Sequence, residues 1–282
     1  MVDGIRPENL HEALDVLSKQ ACTVMAGGTD LMVQRARGFA LAPDFNQTLL
    51  FIDHLNELQK IYIDKDEIHI GACAILTDIV ENELVPKVFR EMVEKMASPP
   101  TRNMATLAGN IVNASPAGDT LPYLYAVGAK IVLQNIKDSR TVSIDKFIVG
   151  LKKTCLQADE LVTDIIIPNK VYEYNYYRKL GQRKGMSLTK ASMLGLADVK
   201  DGKVVDIRMA FGSVSAQIVH STDIEKKLIN RTVKDLNDNV SKILADYDIL
   251  IKPIDDARST AHYRKIVSLR MIKDFIISLK ND

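Results

Sequence analysis

Apolar residues along this chain alternate between helical and strand spacing. Leu10, Ala13, Leu14 and Leu17 share one helical face, and Pro7 suits the first position of that helix because proline has no amide to leave unused. Ala21-Cys-Thr-Val-Met-Ala26 reads as a short buried strand. It runs into Gly27-Gly28-Thr29-Asp30, and helical spacing resumes over Leu31 to Ala36. Thr48 to Asp53 reads as a second strand. Ile61 to Asp64 and Glu67 to Ala72 alternate with period two about Lys65-Asp66, a hairpin pattern that puts His69 on the polar, solvated side. Helical spacing covers 76–97 with a break at Pro86, and Ser98 to Asn103 is turn-rich. A second hairpin joins Ala129–Gln134 to Arg140–Ile144, and Leu161 to Pro168 is a strand closed by proline.

From residue 172 the texture changes. Tyr172–Lys179, Ala191–Val199 and Val204–Phe211 read as three strands, the last two joined by the hairpin turn Lys200-Asp-Gly-Lys203. Helical patterns follow at 222–229, 232–246 and 255–279. Strands followed by helices indicate a separate C-terminal α+β domain.

Composition narrows the function classes. A chain of 282 residues is long enough for two or three subdomains. The net charge of +1, with both signs well mixed, favours neither nucleic acid nor an anionic membrane. No apolar run reaches the roughly eighteen residues of a membrane span, and the N-terminus is not basic and then apolar, so a soluble cytoplasmic protein is expected. Cys22, Cys73 and Cys155 stand far apart with no C-x-x-C. They are expected as buried, unpaired thiols, with no metal or iron–sulfur site carried by this chain.

Two segments carry candidate chemistry. Met104 to Pro122 is poor in charge and rich in small residues with hydroxyl and amide groups, which suits a backbone lying close to a bulky polar ligand. Gly27-Gly28-Thr29-Asp30, between a strand and a helix start, can aim backbone amides at a phosphate, with Thr29 either capping the helix or donating its hydroxyl. It is neither G-x-G-x-x-G nor G-x-x-x-x-G-K-[ST], so a dinucleotide fold and a P-loop are not supported. The Asp30 amide is expected to face the ligand and its carboxylate to turn away. Arg102 has two readings, a phosphate partner or a surface ion pair. The basic, glycine-bearing loop Gly181 to Thr189 is a candidate cover for a ligand, and its Arg183 and Lys184 can attract a nicotinamide dinucleotide phosphate.

Ala26-Gly-Gly-Thr-Asp-Leu31 and Thr106-Leu-Ala-Gly-Asn110, together with Ala114-Ser-Pro-Ala-Gly-Asp119, closely resemble the FAD-binding subunit of molybdenum hydroxylases. That family includes xanthine dehydrogenase, carbon monoxide dehydrogenase and nicotinate dehydrogenase. Asp256-Ala-Arg-Ser-Thr-Ala-His-Tyr-Arg264 is similar to the start of the family's last helix. The resemblance implies an α+β chain: a two-lobed FAD-binding region of the vanillyl-alcohol-oxidase type (lobes 1–56 and 57–170), then a C-terminal α+β domain at 171–282 with a three-stranded antiparallel sheet and a helix bundle. FAD is held non-covalently between the lobes. Carried over by position, Val24, Met25, Ala26, Gly27, Gly28, Thr29, Asp30 and Leu31 wrap its diphosphate. Thr106, Leu107, Ala108, Gly109 and Asn110 add contacts, Asp119 reaches sugar or ribityl hydroxyls (or caps the helix after it), and Val162 and Lys179 line the cofactor. Two positions depart from the family: Ala108 replaces the first glycine of T-x-G-G-N, and Met96 stands where some members place an aromatic ring.

The implied chemistry is electron transfer. A molybdopterin-binding large subunit hydroxylates the substrate, a 2Fe-2S small subunit relays electrons to FAD on this chain, and NAD+ or another acceptor takes them away. No catalytic acid, base or nucleophile is expected in this chain. The alternatives are a stand-alone FAD-dependent oxidoreductase of the same binding fold and a non-catalytic flavin-bearing assembly module.

Overall fold

The computed structural model describes residues 3–183 and 185–280, and the chain divides into two compact units. One runs to Ala114 and resumes over Ala129–Asn169; the other comprises Ser115–Gly128 and the chain from Lys170 onward.

The first unit opens with a parallel sheet of β1 (Gly4–Ile5), β2 (Cys22–Met25) and β3 (Thr48–Phe51), in the order β1-β3-β2. The helix Leu10–Lys19 buries Ala13, Leu14 and Leu17, the face that the apolar spacing marks out. It starts three residues after Pro7. Asn9 supplies the capping side chain, accepting from the Glu12 amide at 2.9 Å, while the Pro7 carbonyl lies 2.7 Å from His54 Nε2.

Next comes a five-stranded antiparallel sheet of β4 (Ile61–Asp64), β5 (Glu67–Gly71), β6 (Lys130–Gln134), β7 (Ser139–Ser143) and β10 (Leu161–Pro168), in the order β4-β5-β10-β6-β7. Between β7 and β10, the short strands β8 (Ile148–Gly150) and β9 (Lys153–Thr154) pair with each other. Period-two alternation sends Ile68, Ile70, Ile131, Leu133, Ile165 and Ile167 into the core. The opposite face carries His69, and the expectation of a solvated histidine fails there. His69 Nδ1 lies 2.5 Å from Asp164 Oδ2, and its ring stacks on Tyr62 at 4.8 Å. The neighbour that shelters it comes from a strand 95 residues away. Burial raises the Asp164 carboxyl above its ordinary value, with the His69 contact pulling the other way.

Four short helices of this unit follow one another between β5 and the departure at Ala114: Leu76–Glu81, Lys87–Glu94, Pro99–Arg102 and Leu107–Val112. The first two share the 76–97 pattern and part at Asn82–Pro86. Ser98, in the turn-rich stretch, caps the third by accepting from the Thr101 amide.

The second unit is built on β11 (Tyr174–Leu180), β12 (Ala191–Lys200), β13 (Lys203–Gly212) and β14 (Val219–His220), antiparallel in that order. The two-residue β14 extends the three strands expected from the sequence. Asp201 and Gly202 both have positive φ, 52° and 67°, the geometry of a two-residue type I′ hairpin turn. The helix Leu121–Ala126 is buried along all six residues and packs on β12 and β13, which carries the 115–128 segment into this unit. The apolar spacing over 232–246 proves to be two helices, Val233–Asp238 and Val240–Leu250, because Asn239 turns its Nδ2 back onto the Asp235 carbonyl. The last helix, Ala261–Ser278, begins later than 255 because Asp256 folds its own neighbours into a turn. Among the described residues no helix is long and apolar enough to cross a membrane.

Only Cys73 is a fully buried thiol; Cys22 and Cys155 are half-buried, and none is in a disulfide. Burial, with Asp53 adding to it, pushes the Cys73 thiol from 9.0 up to about 12. The folded state holds this proton more tightly than the unfolded chain does. The associated stability is therefore present below the ordinary thiol value and lost as pH rises from 9.0 toward 12. At pH 8 the Cys73 thiolate fraction is on the order of 10⁻⁴, so a thiolate-selective reagent should label Cys22 and Cys155 first and Cys73 only on unfolding. Rapid native labelling of all three would contradict that burial. In the other unit, a Cβ on Gly195 would sit 2.7 Å from the buried Phe275 ring. Gly195→Ala should destabilise by about 1–3 kcal/mol, read as a lower urea midpoint at unchanged slope.

Candidate functional site

Strand β2 delivers the chain into Gly27-Gly28 with Met25 still buried. Gly28 takes a left-handed φ of 65°, which glycine adopts at little cost. Gly27 is required for a different reason. A Cβ there would fall 1.7 Å from the Met104 carbonyl oxygen and 3.1 Å from Ala105 Cα. The close approach expected of this glycine is thus made to the second candidate segment. Seen from the other side, that segment is fixed by the Leu76 amide on the Ala105 carbonyl at 2.8 Å and by a bridge between Ile75 and Thr106.

The turn leaves its donors free. Among the described residues, the backbone amides of Ala26 through Leu31 have no hydrogen-bond acceptor. Thr29 does not cap the short helix Leu31–Gln34, whose cap position is Asp30, without a side-chain capping bond. The Asp30 carboxylate turns along that helix to Gln34 Nε2, and the same nitrogen reaches Asn113 Oδ1 at 3.0 Å. Gln34 therefore ties the glycine turn to the end of the helix Leu107–Val112.

Thr106 is buried, and its Oγ1 accepts from the Gly109 amide at 3.1 Å, capping that helix. A Cβ on Gly109 would lie 3.0 Å from this hydroxyl, so the glycine keeps room for the cap. Ala108 lies inside the helix and is not among the residues with positive φ, so its methyl is accommodated despite the departure from T-x-G-G-N. The amide of Ala108 also lacks an acceptor among the described residues, while that of Leu107 lies in the bridge between Ile75 and Thr106. Free main-chain donors thus stand on two segments in direct contact. Their chemistry suits a diphosphate, which is bound by amides at helix starts and turns.

Other candidates resolve differently. Val162 is a core side chain on β10, next to a break in register, so only its backbone is available to a ligand. Met96 is buried and offers no aromatic face. Arg102 forms no ion pair among the described residues; its Nη1 donates to the carbonyls of Met96 at 2.7 Å and Ala97 at 3.4 Å.

Asp119 and Lys179 belong to the second unit and meet there, with Lys179 Nζ 2.5 Å from Asp119 Oδ2 and both side chains about nine-tenths buried. Thr189, which local sequence did not single out, donates its hydroxyl to the other carboxylate oxygen. Asp119 caps no helix; Thr120 holds that position. A carboxylate retains lone pairs beyond these two partners, so a ligand hydroxyl can still donate to it. The loop from Gly181 folds back on itself, since a Cβ on Gly181 would meet Ser187 Oγ at 2.0 Å. Arg183 donates to the Met186 carbonyl, and Lys184 lies outside the described residues.

Known proteins match the chain along almost its whole length. Residues 1–170 match the FAD binding domain in molybdopterin dehydrogenase, and residues 176–279 match the CO dehydrogenase flavoprotein C-terminal domain. The glyceraldehyde dehydrogenase medium chain of Sulfolobus acidocaldarius is 30% identical over 275 residues, covering 96% of each chain. The nicotinate dehydrogenase FAD-subunit of Eubacterium barkeri is 28% identical, covering 65% of this chain and 64% of its own. In fold, a chain of reconstituted CO dehydrogenase from Oligotropha carboxidovorans superposes with a TM-score of 0.88 at 22% identity, covering 98% of this chain and 96% of that one. The chain is a member of the FAD-binding family of molybdopterin dehydrogenases, carrying the flavoprotein C-terminal domain as its second part.

Proposed function

We propose that this chain is the electron outlet of a multi-subunit molybdenum hydroxylase. In this reading a molybdopterin-binding large subunit hydroxylates the substrate, a 2Fe-2S small subunit passes the electrons on, and NAD+ or another acceptor receives them. FAD supplies the redox chemistry when bound; the protein binds, orients and shields it. One observation carries the reading: the contact of Gly27 with Met104, which brings the segment of the free amides of Ala26–Leu31 against the segment that carries the free amide of Ala108.

The residues divide the work as follows. Val24 to Leu31 wrap the diphosphate, meeting its charge with main-chain dipoles. Thr106 to Asn110 extend that cradle, and the backbone of Val162 borders the flavin. Asp119, held by Lys179 and Thr189, accepts from ribityl or sugar hydroxyls, with Lys179 alongside. Residues 1–56 and 57–170 act as two lobes around the cofactor, and 171–282 as the C-terminal domain. Three cysteines without a disulfide support a cytoplasmic location. The basic 181–189 loop attracts the outgoing acceptor.

FAD at a hundredfold excess over its Kd should stabilise the full chain by about 2.7 kcal/mol, seen as a raised melting point. Gly27→Ala forces the Met104 backbone away and should weaken FAD binding at least tenfold, about 1.4 kcal/mol, with the apo melting point as the folding control. A colourless full chain that FAD neither stabilises nor colours would end the reading. The purified chain should hydroxylate no substrate, and turnover by it alone would favour the stand-alone oxidoreductase. In the assembled enzyme, Arg183→Ala with Lys184→Ala should raise the KM for NAD+, and an unchanged KM would remove the role given to that loop.

A further inference from the structure

Arg264 is a charged residue with 4% exposure in the first turns of the helix Ala261–Ser278. Its Nη1 donates to the Ser213 carbonyl at 2.8 Å and its Nη2 to Asp256 Oδ1 at 2.6 Å. Asp256 is held in turn by the amides of Arg258 and Ser259. Burial works against the charge on Asp256, but those amides and the guanidinium outweigh it and keep its carboxyl below the ordinary value. Ser213 is buried with a left-handed φ of 63°, a conformation a non-glycine residue keeps only when its surroundings impose it. Its amide donates to the Pro116 carbonyl at 2.8 Å. Pro116 lies in the turn closed by the Gly118 amide on the Ser115 carbonyl, and Asp119 follows directly.

We propose that Arg264 is a positioning residue for Asp119, acting through Ser213 and the 115–118 turn to fix where the Asp119–Lys179 pair stands. The proposal rests on the reading of Asp119 as a flavin contact given above. A purely stabilising role fits the arrangement poorly. Arg264 Nε and Ser213 Oγ are buried without a hydrogen-bond partner among the described residues, and an apolar residue often replaces a buried ion pair without loss of stability. What the guanidinium uniquely supplies is a planar fork that grips a carbonyl and a carboxylate at once.

Arg264→Lys keeps the charge but cannot hold both partners. In the FAD-free full chain, amide hydrogen exchange at Ser213 and Gly118 should quicken at least about tenfold, while exchange at Leu196, in the middle of β12, stays unchanged. In flavin titrations the variant should weaken FAD binding about tenfold, ~1.4 kcal/mol. Added to Asp119→Asn it should weaken binding by no more than about twofold further, since both changes act at one place. If Arg264→Lys does not fold, Asp256→Asn, which leaves the guanidinium in place, provides the same comparison. Unchanged exchange at Ser213 and Gly118 would overturn the relay, and so would fully additive losses of FAD affinity. If Asp119→Asn weakens binding but Arg264→Lys does not, this inference alone falls. If Asp119→Asn leaves affinity unmoved, the flavin contact of Asp119 falls and the inference with it.

Discussion

Everything at the candidate site depends on two stretches of main chain lying closer together than any side chain would permit. At Gly27 the α-carbon faces the Met104 carbonyl with no space for a methyl group. The segment that brings Thr106 to Asn110 is thereby set by backbone against backbone. Side chains then fix it: Gln34 reaches Asn113, and Thr106 caps its own helix through Gly109. Donors fixed in this way need no reordering when an anion arrives, and so less binding free energy goes into organising them.

The two units handle polarity differently. In the first, the free donors are main-chain amides, and the nearby guanidinium of Arg102 is committed to carbonyls. An anion there would be met first by main-chain dipoles, with the Lys152 ammonium close by on Asn113 Oδ1. In the second, Asp119 and Lys179 are both charged groups, but they face each other at 2.5 Å under substantial burial. Their charges offset, and what the pair offers a ligand is direction: one fixed acceptor and one fixed donor.

Strands and hairpins were legible because period two and turn chemistry are local. Lys65-Asp66 and Asp201-Gly202 sit where the alternation breaks, and the chain reverses at both. Helix limits were less legible, because each depends on a single polar side chain: Asn9 rather than Pro7 starts the first helix, Asn239 divides 232–246, and Asp256 delays the last. His69 was misplaced because the strand carrying Asp164 is remote in sequence. At the site, the glycine pair was readable as a turn, but nothing local says that Gly27 faces Met104. Asp119 and Lys179 were reachable only through family resemblance. Thr189 was missed because one hydroxyl at the end of a basic loop carries no pattern of its own.

The segment 115–128 has a wider implication. The chain leaves the first unit after Ala114, builds the buried helix Leu121–Ala126 into the second, returns at Ala129 and leaves again at Asn169. Three crossings mean that no single cut frees either half. A fragment ending near residue 170 would retain that helix without the strands it packs on, exposing six side chains the intact protein hides. The boundary between the two matched domains therefore does not coincide with the division into compact units, and a cut at that point would leave both products with an unfinished core.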